Sequence, residues 1–239
     1  MCYNVSRIGD KMKTILKRVA AYMIDIILVS LISTLLTSNS FLNKDYDKYV
    51  DTYDEYEEVY DEYSNLIVEL EDEDITDDEY NEKLEEINKE YEDTLEDYNY
   101  KLVKLSIIPT SISIIILILY FAVLQYFLKG QTLGKKIMKL QIKSNNGKKL
   151  TILNYILRSL ILNEVLINIL SIIFLLVLNK DGYLIYNQII YVVSYVIEMA
   201  IIFMIAFDKN NRGLHDYISN TKVVDLKEKE VVIDEMQEL

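Results

Sequence analysis

Ile15-Leu16-Lys17-Arg18-Val19-Ala20-Ala21-Tyr22-Met23-Ile24-Asp25-Ile26-Ile27-Leu28-Val29-Ser30 opens an apolar run that continues to Ser38, with an arginine at its start and an aspartate in its middle. Its length decides the fold class. About 20 helical residues cross a hydrocarbon core of about 30 Å, and this run suffices. Three further stretches of the same kind lie at 105–128, 152–178 and 183–207. They also carry charge: Arg158, Glu164 and Glu198. A charged side chain near mid-bilayer costs about 2.5–3.5 kcal/mol on insertion scales. Each of the five groups therefore needs a partner or a task. The run at 15–38 is too long for a cleaved signal segment, and Asp25 argues the same way, so it is read as a retained span.

Half of the 239 residues are apolar, yet 26% are charged. The two facts reconcile because charge and oil are segregated. Residues 43–104 hold 25 Asp or Glu against 6 Lys, a net of −19 in a chain of −13, which leaves +6 for the rest. The acidity belongs to one segment, and nothing in it suggests nucleic-acid binding. The single cysteine, Cys2, allows no internal disulfide and no metal-ligand spacing.

Charge also gives orientation. Arg7, Lys11, Lys13, Lys17 and Arg18 precede or open the first span. The 129–151 connection carries seven lysines and no acid. The positive-inside rule places both in the cytoplasm. The acidic 44–104 region and the turn around Lys180, Asp181 and Gly182 then lie outside. The expected chain is multi-pass in the plasma membrane, N-in and C-in: a leader at 1–14, spans at 15–43, 105–128, 152–178 and 183–207, and a tail at 208–239. Met12 opens a more compact beginning, so residues 1–11 read as a disordered leader or an over-long start. The third span, with Asn154, Arg158, Asn163, Glu164 and Asn168, is polar along one stripe; it reads as a full span, or as one lying partly in the interface.

Residues 44–104 contain neither Pro nor Gly. Tyr46, Tyr49, Tyr53, Tyr56, Tyr60, Tyr63, Ile67 and Leu70 follow an unbroken 3,4 spacing. A second series runs from Tyr80 through Leu84, Ile87, Tyr91, Leu95, Tyr98 and Leu102 to Leu105, with a stutter near Leu95. Between them Thr76, with Glu79 three residues on, forms a capping box. An antiparallel helical hairpin about 40–45 Å long is expected. Its acids read as a solvated face or as a surface for an extracellular protein. Asp72-x-Asp74 lacks the turn glycine of a calcium loop, and Lys83 stands at its twelfth position, so no metal site is expected.

Helical spacing places Asp25, Glu164 and Glu198 at a similar depth, because the third span enters with the first and the fourth runs back. The three carboxylates are expected to converge in one layer, with Arg18 and Arg158 nearer the cytoplasm. A carboxyl poised between desolvation and a nearby Arg can exchange a proton for a cation. Static pairing across helices is the competing reading.

Gly130-Gln131-Thr132-Leu133-Gly134-Lys135 follows the second span. Ser144-Asn145-Asn146-Gly147 is a hairpin-turn signal, with Lys148–Thr151 as return strand. Arg212-Gly213-Leu214-His215-Asp216 precedes a third strand beginning at Thr221. With Arg18 opening the first span, Asp25 in its middle and Asp216 late in the chain, this set resembles the RDD family of membrane proteins over about 15–43 and 101–226. Gly130, Gln131, Thr132, Gly134, Lys135, His215 and Asp216 carry the cytoplasmic part of the resemblance. The acidic hairpin departs from the family's usual short connection. The resemblance implies transport, with cation/proton exchange proposed for some members, and no hydrolase or redox chemistry. His215 beside Asp216 is too small a set for structural zinc; the pair is expected to bond backbone groups and fix the turn.

The expected fold is an all-α membrane protein: a four-helix transmembrane bundle, an extracellular acidic helical hairpin and a small cytoplasmic β-hairpin or three-strand element. The expected function is a small carrier exchanging protons for a monovalent cation, as a homodimer in the lipid bilayer and without cofactor. The alternative is a non-transporting scaffold or regulator whose hairpin at 44–104 binds a protein. An enzyme is not expected.

Overall fold

The computed structural model describes residues 2–227, with side chains from residue 11 onward; the part of the expected tail at 228–239 lies outside the described residues. Its elements are α1 (Cys2–Thr37), α2 (Tyr46–Glu71), α3 (Asp77–Leu105), α4 (Ile107–Ile118), a π-helical segment (Leu119–Leu124), α5 (Gln125–Phe127), α6 (Leu133–Ile137), β1 (Leu140–Ser144), α7 (Ile152–Leu162), α8 (Val165–Val177), α9 (Lys180–Phe207), α10 (Leu214–Ile218) and β2 (Thr221–Asp225). Helix α1 begins at Cys2, so the backbone of the expected leader continues the helix instead of forming a disordered lead-in.

Among the described residues three helical stretches are long and apolar enough to cross a bilayer: Lys11–Thr37, Ile107–Phe127 and Lys180–Phe207. The third expected span is not one straight helix. Helices α7 and α8 pass the same test only as a pair bent by 67°. The break falls at Asn163 and Glu164, where Glu164 takes a left-handed backbone (φ 52°, ψ 20°). That conformation costs an L-residue roughly 1–2 kcal/mol and ends the helical ladder. The stripe of polar residues noted in the sequence straddles this break, with Asn168 beyond it in α8.

The helices have two shared ends. At one, Lys11 donates to the carbonyl of Asp208 (3.1 Å), joining the start of the first span to the exit of α9. At the other, Lys180 pairs with Asp97 and the rings of Tyr100 and Tyr183 stand 6.0 Å apart, joining the start of α9 to the base of α3. The bent pair α7–α8 connects the first end to the second.

Helices α2 and α3 pack as an antiparallel hairpin. Near its tip Lys83 pairs with Glu73. Midway Tyr63 donates to Asn88 (2.8 Å) and its ring lies 5.7 Å from that of Tyr91. Thr76 and Glu79 form the expected capping box. Tyr49, Tyr53, Tyr56, Tyr60 and Tyr63 form a continuous ladder of rings 5.8–6.4 Å apart along α2.

The sheet departs from the expectation. Strand β1 pairs antiparallel with β2, Ile142 opposite Val223. The expected return strand at 148–151 does not form: Lys148 N–H donates to the Asn146 side chain (3.2 Å) and the chain goes directly into α7. The free edge of β1 is already occupied, since Ile142 N–H donates to Gly130 O (2.9 Å) and Gln141 reaches Lys129 O (2.8 Å). A two-stranded sheet therefore sits where three strands were expected. Leu140, Ile142 and Val223 bury it on Ala21, Ala122 and Tyr155, which fixes the sheet to the helices.

Candidate functional site

The Asp25 carboxylate is fully buried, and its partners come from outside α1. The π-helical segment presents Tyr120, whose hydroxyl donates to Oδ1 (2.6 Å) and accepts from Leu133 N–H (3.2 Å). Thr132 donates to Oδ2, and Gly134 N–H donates to Oδ1 (2.7 Å). Lys135 Nζ lies 3.7 Å from Oδ2. Gly134 permits this approach: a Cβ there would stand 2.1 Å from Ala21 O and 3.0 Å from Asp25 Cγ. Gly130, at φ +92°, serves the same loop, because a Cβ would meet Ile142 O at 2.4 Å. Gln131 anchors the loop through Leu140 O (2.8 Å). The orientation of the Gln125 amide that satisfies both neighbours sends its nitrogen to Phe121 O (2.9 Å) and its oxygen to Lys135 Nζ (3.3 Å).

A second buried carboxylate gathers the arginines. Asp216 accepts from Arg18 (2.8 Å), Arg158, Thr221 (3.0 Å) and the backbone of Gly213 (3.2 Å). Arg18 also donates to Asn211 O. Burial pushes the Asp216 carboxyl up, but the Arg158 charge, the contact with His215 and the Arg18 charge hold it well below the usual carboxylate range. His215 is pushed down to about 4 by burial and then by the Arg158 charge, against the pull of Asp216. Its Nε2 is 3.2 Å from Asp216 Oδ2, yet neither ring nitrogen makes an aligned hydrogen bond. Asp216 thus meets the backbone as expected, whereas His215 does not. Burial and the Arg158 charge lower Lys135 to about 8, with Asp25 opposing.

One arginine and two aspartates, Arg18, Asp25 and Asp216, thus tie the first span to the segments at 130–135 and 211–216. The RDD family model matches residues 12–220. This chain belongs to the RDD family. Neither the curated proteins nor the solved structures contain a significant match to it.

In this RDD protein the expected single layer of three carboxylates does not form. Asp25 is consumed by its cage, because its oxygens already hold three hydrogen bonds and a lysine. Glu164 and Glu198 instead line a separate cavity of about 420 Å³ between α1, α4, the α7–α8 break and α9. Asn163, Ser33, Ser30 and Thr34 share its wall. Three buried oxygens of these wall residues lack any hydrogen-bond partner: Glu164 Oε1, Asn163 Oδ1 and Ser33 Oγ. A second cavity of about 390 Å³, nearer the sheet, is lined by Arg18, Lys135, Arg158, His215 and again Glu198. Tyr22 and Leu162 border both cavities, and the Tyr22 hydroxyl reaches Leu162 O (3.4 Å). Arg158, expected with Arg18 to one side of the carboxylate layer, pairs with Asp216 beside Arg18.

Tyr120 and Gln125 escape a sequence reading. Tyr120 stands in a purely apolar window, and a π-helical turn has no reliable signature in composition. Among the described residues no group of three His, Cys, Asp or Glu could hold a metal.

Proposed function

We propose that this RDD protein is a small carrier that exchanges protons for a monovalent cation, and that Glu164 and Glu198 are its exchange sites. The observation that carries the reading is the cavity at the α7–α8 break, where Glu164 and Glu198 share the wall with Asn163 and Ser33 and three buried oxygens, one of them of Glu164, have no partner. A buried oxygen with no partner loses about 1–3 kcal/mol. Three on one cavity suit water or a hard cation, which oxygen ligands satisfy without thiolate or imidazole. A cation arriving at a protonated glutamate displaces its proton, so the site stays near neutral in both states, which limits the cost of charge in a low-dielectric surround. Glu198 borders both cavities and passes protons toward the sheet end through the neck at Tyr22 and Leu162.

On this reading the lysines of 129–151 favour a cytoplasmic sheet end by the positive-inside rule, with both ends of the chain inside, the hairpin outside and the plasma membrane as the location. The bent pair serves as the fourth crossing. Four crossings are few for alternating access, so two copies assemble as a dimer.

The test is cation-driven proton flux in proteoliposomes. Glu164→Gln is expected to reduce it at least tenfold while the variant unfolds at the wild-type temperature. Unchanged flux in that variant overturns the reading.

A second reading follows from the tyrosine ladder of α2. Tyr53 and Tyr60 are exposed on a helix crowded with carboxylates, a combination that suits a basic protein surface outside the cell. Under it, removing residues 45–100 eliminates a crosslinked partner while leaving flux intact. Retention of the crosslink after the deletion ends this second reading.

A further inference from the structure

We propose that the cavity at the sheet end is a binding site for the phosphate headgroup of an anionic lipid. Arg18, Lys135 and Arg158 line it together with His215. These three cations face two buried carboxylates, Asp25 and Asp216, so the buried part of the cluster keeps one positive charge in excess, while the third acid, Glu198, lines the cavity from an exposed position. A buried charge without a counter-ion is costly, and a phosphate supplies that counter-ion with several strong acceptor oxygens. His215 stands among them with its Nε2 3.2 Å from Asp216 Oδ2 and its Nδ1 buried without a hydrogen-bond partner.

The remaining wall decides between a lipid and a free phosphate. It is largely apolar, with Leu140, Leu162, Ile201 and Ile205 among its residues. Two of its members, Val19 on α1 and Ile202 on α9, are also exposed on the outside of spanning helices, at 55% and 60%. The cavity thus joins the cationic cluster to the surface that faces hydrocarbon. Arg18 opens the apolar run of the first span, which is headgroup depth. A headgroup enters with its acyl chains still in the bilayer; a free phosphate gains nothing from those walls.

Glu198 is the acid that opposes an anion here, since it borders the same cavity. Its removal is expected to tighten binding, a change that a damaged fold does not produce.

The experiment is native mass spectrometry of the full chain in neutral detergent, titrated separately with phosphatidylglycerol, phosphatidylcholine and inorganic phosphate. Phosphatidylglycerol is expected to be retained at least tenfold more than phosphatidylcholine, with negligible uptake of inorganic phosphate. Ile202→Trp, which fills the mouth and leaves every ion pair in place, is expected to cut that retention about tenfold, and Glu198→Gln to raise it about threefold or more. Equal retention of the two lipids, phosphate binding as tight as the lipid's, or indifference to both variants overturns the proposal.

Discussion

Asp25 and Asp216 are buried in polar cages, whereas Glu164 is half-buried and Glu198 exposed where they line the cavities, and single substitutions separate the two kinds of acid. Asp25 holds Tyr120, Thr132, Gly134 and Lys135 together. Asp25→Ala removes the acceptor these four groups share, leaves the Lys135 charge without its buried counter-ion, and is expected to cost about 3–5 kcal/mol, the usual toll of breaking a buried pair from one side; chemical unfolding in detergent measures it, and a loss under about 1 kcal/mol contradicts the cage. Glu164→Gln, whose Oε1 has no partner to lose, is expected to stay within about 1 kcal/mol of wild type. His215 supplies a pH signature. Its ordinary value of 6.5 falls to about 4 on folding, so an unfolded chain takes up that proton first as pH drops. Stability is expected to fall by about 3 kcal/mol between pH 6.5 and 4, and His215→Asn to flatten that limb. Below about pH 4 both proteins lose more, because Asp216 is held well below its own ordinary value. That Arg18 and Asp25 mattered was legible from charge inside oil. That Arg18 serves Asp216, 198 positions away, was not, because no local spacing encodes a contact made by tertiary packing.

At the scale of elements, the periodic parts read correctly. The α2–α3 hairpin and its Thr76 cap followed from unbroken heptad spacing and a local box, both short-range signals. The third span and the sheet did not. A polar stripe from Asn154 to Asn168 signals trouble, but whether the helix tilts or breaks is decided by tertiary packing around Asn163 and Glu164. Likewise Asn146-Gly147 marks a reversal correctly, while the choice of strand partner lay with Gly130, which had already taken the outer edge of β1. Two substitutions test this packing. Gly134→Ala drives a Cβ into Ala21 O and is expected to destabilise by about 1–3 kcal/mol. Glu164→Gly relieves the left-handed backbone and is expected to stabilise by about 1 kcal/mol while lowering flux, the pattern of strain kept at a working site. A destabilised Glu164→Gly, by thermal unfolding, contradicts the assignment of strain there.

The whole molecule is two end structures, a hairpin and a small sheet, joined by helices that carry a polar cavity between them. Hydropathy made the spans legible and lysine bias supplies the direction expected of them, whereas the cavity exists only because the α7–α8 pair breaks beside α1 and α9. With Cys2 replaced by serine, a cysteine at Asn65 is expected to label from outside intact cells and one at Lys148 only after permeabilisation; labelling of both from the same side contradicts the orientation. The exchange chemistry is reached most directly by labelling membranes with dicyclohexylcarbodiimide, which modifies protonated carboxyls in apolar surroundings, followed by mass mapping of the modified residues. Modification at Glu164 or Glu198, suppressed by sodium or potassium and absent at Asp25 and Asp216, is the predicted result; modification of Asp25, or labelling at the glutamates that no cation suppresses, would contradict the account.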